Sequence, residues 1–203
     1  MNYKSIHDTL SPILRNGRKT GIFCSGGFDS TLLLFLCLRI IKEENLDTHL
    51  QVFTVPRHDD SIVHAQRVVD YMNKRYNISL SIRAVGDPDL EHQKQVSSGL
   101  RPALEYCEQI LLGDTSNPDE VPGGPVRVRS TNDLFIQPFM DSTKRSTVAL
   151  AAEIGFIDCQ KISHTCTESK TVRCGRCWQC QERSWAFDVN DYKQIYLSEY
   201  NYI

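Results

Sequence analysis

Residues Cys24 to Thr31 read CSGGFDST and stand between a short apolar run and a long one. Upstream, Lys19 to Cys24 (KTGIFC) has the make-up of a buried strand. Downstream, Ser30 to Glu44 reads as a helix with leucines on most faces, hence deeply packed. Two adjacent glycines, an aspartate and hydroxyls at that junction add nothing to a core. Gly26 and Gly27 permit positive φ and let a ligand approach the backbone unobstructed by Cβ. The amides then point at one spot, and the following helix adds the partial positive charge of its N-terminus. Ser25, Ser30 and Thr31 add hydroxyl donors. Cys24, Ser25, Gly26, Gly27, Phe28, Asp29, Ser30 and Thr31 therefore form a candidate anion cradle suited to phosphate. The plain alternative is a helix capped by Asp29 or Ser30 beside two incidental glycines.

Strand–helix alternation continues on both sides of this loop. Leu50–Val55 (LQVFTV), Leu80–Val85 (LSIRAV), Gln109–Gly113 (QILLG) and Leu134–Gln137 read as four further strands. Helices are expected around Ile6–Leu14, over Ile62–Tyr76, at unplaced limits before Cys107, and over Ser146–Ile154, closed by Gly155. Such alternation predicts a parallel five-stranded α/β sheet with helices on both faces. Residues 1–155 are read as this domain. Residues 156–203 are rich in cysteine, arginine and aromatics without a clear period, and are read as a small metal-binding appendage packed on it. The stretch between strands four and five, DTSNPDEVPGGPVRVRSTND, is a Pro-, Gly- and Asp-rich loop.

Composition narrows the function classes. A hydrophobic fraction of 40% and a charged fraction of 24% over 203 residues are those of a soluble globular chain. A net charge of −2 argues against a protein that holds nucleic acid by bulk charge. The N-terminus has no signal-peptide core, and no apolar run reaches the roughly 18 residues that cross a bilayer, so a cytoplasmic location is expected.

Eight cysteines divide into two groups. Cys24, Cys37 and Cys107 lie singly in apolar surroundings, with Cys159 further on. Cys166, Cys174, Cys177 and Cys180 crowd into CTESKTVRCGRCWQC, where each CxxC lets two thiolates reach one ion. In a reducing compartment this favours a metal over disulfides. Tetrahedral zinc in a structural role is the expectation; an iron–sulfur cluster also suits such a ligand set.

SGGFDS matches neither GxxxxGK[ST] nor GxGxxG. It resembles the PP-loop signature of the ATP-pyrophosphatase superfamily, the adenine nucleotide alpha-hydrolase-like fold. That resemblance implies binding of ATP, cleavage between its α- and β-phosphates, and placement of Asp29 near the phosphates and Mg2+. PFMDSTKRSTVALAAEIG, Pro138 to Gly155, resembles a second segment of such enzymes and implies that Lys144 reaches a phosphate, so that Asp29, Ser30 and Lys144 are the candidate catalytic residues. Gly113 and Asp114 end a strand on the same rim. With the cysteine cluster, SHTC before it and CGRCWQCQERSWAF through it, the chain resembles the 7-cyano-7-deazaguanine synthase (QueC) family. The family implies zinc on the four cysteines, and a ligase that adenylates 7-carboxy-7-deazaguanine and uses ammonia to form an amide and then a nitrile.

The partners so implied are a deazapurine carboxylate and ammonia, with no membrane; a homodimer stays open. Two family segments are missing, one after strand two and one before strand four. VPRHDD keeps only Arg57 and His58 of the first, and SSGLRP with Arg101 is the nearest match to the second. Other readings stay open: a QueC-like phage or antiphage protein with a different acceptor, a sulfur-inserting tRNA enzyme, and a nucleotide-sensing scaffold. For a tRNA face, five basic residues against two acids between Lys161 and Arg183 are too few.

Overall fold

The apolar runs fold into strands β1 (Thr20–Phe23), β2 (Leu50–Thr54), β3 (Ile82–Ala84), β4 (Gln109–Leu111) and β5 (Phe135–Ile136). The structure, a computed structural model, describes residues 1–90, 92–190 and 192. Its sheet has the order β3-β2-β1-β4-β5, with every pair parallel. Ile22 lies opposite Val52 on one side and Leu111 on the other, and all three belong to one core. Their chain neighbours Phe23, Phe53, Ile110 and Leu112 point into a second core on the opposite face. This two-residue alternation is why short apolar strands bury both faces at once.

Six α-helices clothe the sheet among the described residues: α1 (Tyr3–Arg15), α2 (Phe28–Glu43), α3 (Ser61–Tyr76), α4 (His92–Ala103), α5 (Lys144–Glu153) and α6 (Trp178–Asp188). Helix α2 is central, with α1, α3, α5 and the 3₁₀ turn Ile157–Lys161 against it. That surrounding explains leucines all round α2: Leu32, Leu33, Leu34 and Leu36 have no exposed surface. On the opposite face α4 brings Ala103, with Leu100, onto Phe23 and Val85. Helices α2 and α5 begin at Phe28 and Lys144, two residues ahead of the starts expected from apolar spacing, because Asp29 in the one and Lys144 and Arg145 in the other interrupt that spacing. Helix α6 lies where no period was legible.

The cysteine-bearing segment is anchored in the main core. Phe156 stacks on Phe35 with ring centres 3.7 Å apart. Phe187 of α6 meets Phe28, inside the glycine-pair loop, edge to face at 5.5 Å. Arg183 is fully buried between them. Its Nη2 donates to the Gln160 carbonyl at 2.9 Å and its Nη1 to Thr165 Oγ1 at 2.6 Å. Its guanidinium lies 5.6 Å from the Phe28 ring centre and 5.7 Å from that of Phe187. A buried cation lying close to two aromatic rings and donating to backbone is a favourable burial.

Removing the Phe187 ring leaves a cavity under the loop, so Phe187→Ala should lose about 3–5 kcal/mol of unfolding free energy in denaturant melts. A loss below about 1 kcal/mol would show that the C-terminal segment is not integral to the core.

Candidate functional site

Strand β1 pairs with β2 on one side and β4 on the other, so the sheet's connections diverge at the C-terminal end of β1. Ligand crevices of open α/β sheets lie there. Here the crevice is a cleft of about 460 Å³, lined on one side by Ser25, Gly27, Phe28, Asp29 and Ser30. Gly113 and Asp114 from the end of β4 and Lys144 from the start of α5 also line it. Cys24, Gly26 and Thr31 do not line the cleft but brace the loop. The Cys24 amide donates to the Phe53 carbonyl at 2.8 Å, and Thr31 Oγ1 donates to the Gly27 carbonyl at 2.7 Å.

The two glycines do different jobs. Gly26 has φ +75°, and a Cβ there would lie 2.4 Å from the Cβ of His64. Gly27 has ordinary φ (−76°) and is the N-cap residue of α2, with no side chain capping the helix. The expected cappers are employed elsewhere, since Ser30 Oγ donates back to the Gly27 carbonyl at 3.1 Å. The amides of Phe28, Asp29 and Ser30 consequently have no acceptor among the described residues, the first returning bond being Thr31 N to the Gly27 carbonyl at 3.0 Å. Orphan first-turn amides at a helix N-terminus are the donor set an anion needs. Gly113 lets the end of β4 come close, since a Cβ there would stand 2.9 Å from the Ser30 amide nitrogen.

Beside these donors lies a buried charge network. Lys144 Nζ donates to Asp29 Oδ2, and Thr147 Oγ1 donates to Asp29 Oδ1 at 2.7 Å. Lys144 Nζ also stands 3.2 Å from Glu182 Oε2, and Arg127 Nη1 stands 3.4 Å from Glu182 Oε1. Arg127 is fixed in turn by the Thr115 carbonyl and hydroxyl, each at 2.6 Å. Of this network the sequence singles out Asp29 and Lys144 and misses Glu182, Arg127 and Thr147. Glu182 sits in the cysteine cluster two residues after Cys180, and Arg127 in a loop without periodicity, so neither carries a pattern.

The SHTC segment runs along the loop. The His164 amide donates to the Gly26 carbonyl at 2.7 Å, and the His164 and His64 rings stack with centres 4.1 Å apart. Burial pulls His164 down to about 4 and lowers His64 as well, so both rings are neutral at pH 7. Of the three expected pocket residues, Arg57 lines the cleft, its guanidinium held by Asp59 at 2.7 Å. His58 and Arg101 are exposed and lie outside it.

Cys166, Cys174, Cys177 and Cys180 place their sulfurs within 4.8 Å of one another. Gly175, at φ +73°, makes the turn that brings Cys174 and Cys177 to one point. Burial works against ionisation of Cys177, but amides of Thr167 and Cys180 and neighbouring thiols outweigh it and lower it to about 7. Four convergent sulfurs, three of them buried, could hold a metal ion.

Backbone geometry separates the glycines experimentally. Gly26→Ala incurs the left-handed penalty of about 1–3 kcal/mol plus a clash with His64, and should visibly lower the melting temperature. Gly27→Ala, whose nearest neighbour would be Ser25 Oγ at 3.2 Å, should fold and instead obstruct the cleft. Equal melting temperatures for wild type and Gly26→Ala would contradict this.

A family model described as queuosine biosynthesis protein QueC matches residues 127–191, a span that holds Arg127, Lys144, all four clustered cysteines, Glu182 and Arg183. No curated protein matches the sequence. Among solved structures the chain is similar to the U34-tRNA thiolase NcsA from Methanococcus maripaludis with its [4Fe-4S] cluster. The identity is 14%, the TM-score 0.55, and the match covers 99% of this chain and 79% of that one. It is also similar to the NMN synthetase from Francisella tularensis, at 10% identity and TM-score 0.56, covering 94% and 87%. Such identities speak for the fold. Over residues 127–191 the chain is thus similar to the QueC family model, and over nearly its whole length it shares the fold of these two structures.

Proposed function

We propose that this chain is an ATP-dependent ligase that adenylates a carboxylate, with 7-carboxy-7-deazaguanine as the acceptor, and uses ammonia to form an amide and then 7-cyano-7-deazaguanine. The observation that carries the reading is the set of orphan amides of Phe28, Asp29 and Ser30 facing a cleft that also holds Lys144. Acceptor carboxylate oxygen attacks the α-phosphorus and pyrophosphate leaves. Ammonia then displaces AMP from the acyl-adenylate, shedding a proton. Activation of the amide oxygen by a second ATP releases another pyrophosphate, and loss of AMP and a proton gives the nitrile. The protein's share is positioning and preorganised positive charge: the α2 amides and Lys144 face the charge that moves onto the leaving pyrophosphate. Magnesium, when bound beside Asp29, supplies further neutralisation of that charge. Arg57 and Arg127, both on the cleft wall, are the cations available to an acceptor carboxylate.

Sulfur insertion is the weaker reading. It needs an accessible thiolate outside the metal centre, yet Cys24, Cys37, Cys107 and Cys159 are all buried. Burial pushes Cys24 and Cys107 up to about 11 and Cys37 up to about 12, and raises Cys159 as well. Buried thiols held protonated are poor nucleophiles.

For the four cysteines we propose structural zinc. Sulfurs within 4.8 Å fit around a single ion, whereas the thiolates of an iron–sulfur cluster bind different iron atoms and stand further apart. With four protein ligands no position is left for a reacting water.

Incubation with ATP, magnesium, ammonia and 7-carboxy-7-deazaguanine should give AMP, pyrophosphate and the amide or nitrile by mass analysis. AMP without either product would retain the ATP chemistry and discard the acceptor. Asp29→Ala should cut pyrophosphate release at least a hundredfold with the fold intact, and unchanged turnover would remove Asp29 from the site. Metal analysis should find one zinc per chain, and Cys177→Ser should lose it and melt at lower temperature. Finding iron and sulfide instead would overturn the zinc assignment.

A further inference from the structure

Glu182 has no exposed surface, yet it lines the cleft. A carboxylate is removed from water only at a cost of several kcal/mol unless other charges replace its hydration. Here the replacement is incomplete. Oε2 has the Lys144 ammonium at 3.2 Å and accepts a hydrogen bond from Arg127 Nη2 at 3.5 Å. Oε1 makes no hydrogen bond, since Arg127 Nη1 at 3.4 Å is within ion-pair distance but outside hydrogen-bond geometry. The same ammonium donates to Asp29 Oδ2. Two carboxylates from segments 153 residues apart (182 − 29) thus close on one cation, in a cleft, with one buried oxygen left over.

We infer that Asp29 and Glu182 together hold the divalent cation that accompanies the nucleotide, so that the C-terminal helix α6 supplies half of that site. The inference rests on reading the cleft as a triphosphate site. Charge and ligand chemistry lead to it. Lys144 and Arg127 balance Asp29 and Glu182, so the network is formally neutral. A triphosphate that draws Lys144 to itself leaves the two carboxylates facing each other and the phosphates. Only a cation can occupy that place without like-charge repulsion. Magnesium suits it, because it is characteristically bound by one or two carboxylates with phosphate oxygens and waters completing the shell. Lys144 Nζ, within reach of both carboxylates, marks the position. Glu182 follows Cys180 by two residues on α6, so a metal on the cysteines fixes the helix that delivers this carboxylate to the cleft.

The test is the magnesium dependence of ATP affinity, measured by calorimetry on full-length protein with its four-cysteine site saturated. Wild type should bind ATP at least tenfold more tightly with magnesium than without. Glu182→Gln should shrink that enhancement at least fivefold while keeping its cysteine-bound metal and its melting transition. An enhancement equal to wild type in that folded variant would overturn the inference. Should Glu182→Gln fail to fold, the double variant Glu182→Gln/Lys144→Met restores charge balance and should show the same lost enhancement; an enhancement equal to wild type there would likewise overturn the inference. Manganese with inorganic triphosphate in place of ATP, followed by electron paramagnetic resonance of the protein-bound ion, separates the two readings. If wild type binds no ATP, the proposed function fails. Manganese bound by wild type and lost in Glu182→Gln would still support the carboxylate pair, and manganese binding that is absent or indifferent to Glu182 would end it.

Discussion

A helix whose first turn has no cap is the constraint that organises this molecule. The glycine at the start of α2 leaves three amides without acceptors among the described residues, and no side chain caps the helix there. Unsatisfied donors of this kind are tolerable where water or an anion can reach them and costly where neither can. The fold resolves this by opening the crevice of the sheet at that point and crowding every other side of the loop. His64 and His164 stack against it, the Gly26 carbonyl is tied down by the His164 amide, and Phe28 is clamped by Phe187 and Arg183. The loop is rigid on the protein side and unsatisfied on the cleft side, which is the preorganisation that charge stabilisation demands.

The same crowding joins the cysteine centre to the cleft. Cys177 is the N-cap residue of α6 and Cys180 lies in its first turn, while Glu182, Arg183 and Phe187 follow on the same helix. One helix therefore carries clustered cysteines at one end, a cleft carboxylate in the middle, and the residues that grip the glycine loop beyond. Arginine three residues after the last cysteine, and phenylalanine four after that, are set by this docking.

Much of this was legible in the sequence because local physics wrote it there. Alternating apolar runs marked the strands, the all-round leucines of α2 announced a helix enclosed on every side, and CSGGFDST and the two CxxC pairs each carry a spacing that chemistry requires. Asp29 and Lys144, read 115 residues apart (144 − 29), meet as an ion pair. The first turns of α2 and α5 were missed because polar residues there have no apolar period. Only Gly26 of the glycine pair uses positive φ, a distinction that depends on His64 arriving from α3. Glu182 and Arg127 stayed hidden for a similar reason, since a lone acid among cysteines and a lone arginine in an irregular loop acquire meaning only through contacts made in three dimensions.

The connection between β4 and β5 has no helix to cover it. In its place a long irregular segment holds Arg127 and Ser130 against the cleft and leaves Val126 and Val128 in solvent, at 84% and 73% exposure. The glycine loop is locked into the sheet and its helices, whereas this segment is tied down at separate points, by Asn117 Nδ2 to the Pro125 carbonyl, Arg127 to Thr115 and Trp178 Nε1 to the Val121 carbonyl. That wall of the cleft therefore hangs on individual side-chain tethers rather than on a backbone ladder, so single residues set its shape in a way that they do not on the opposite wall.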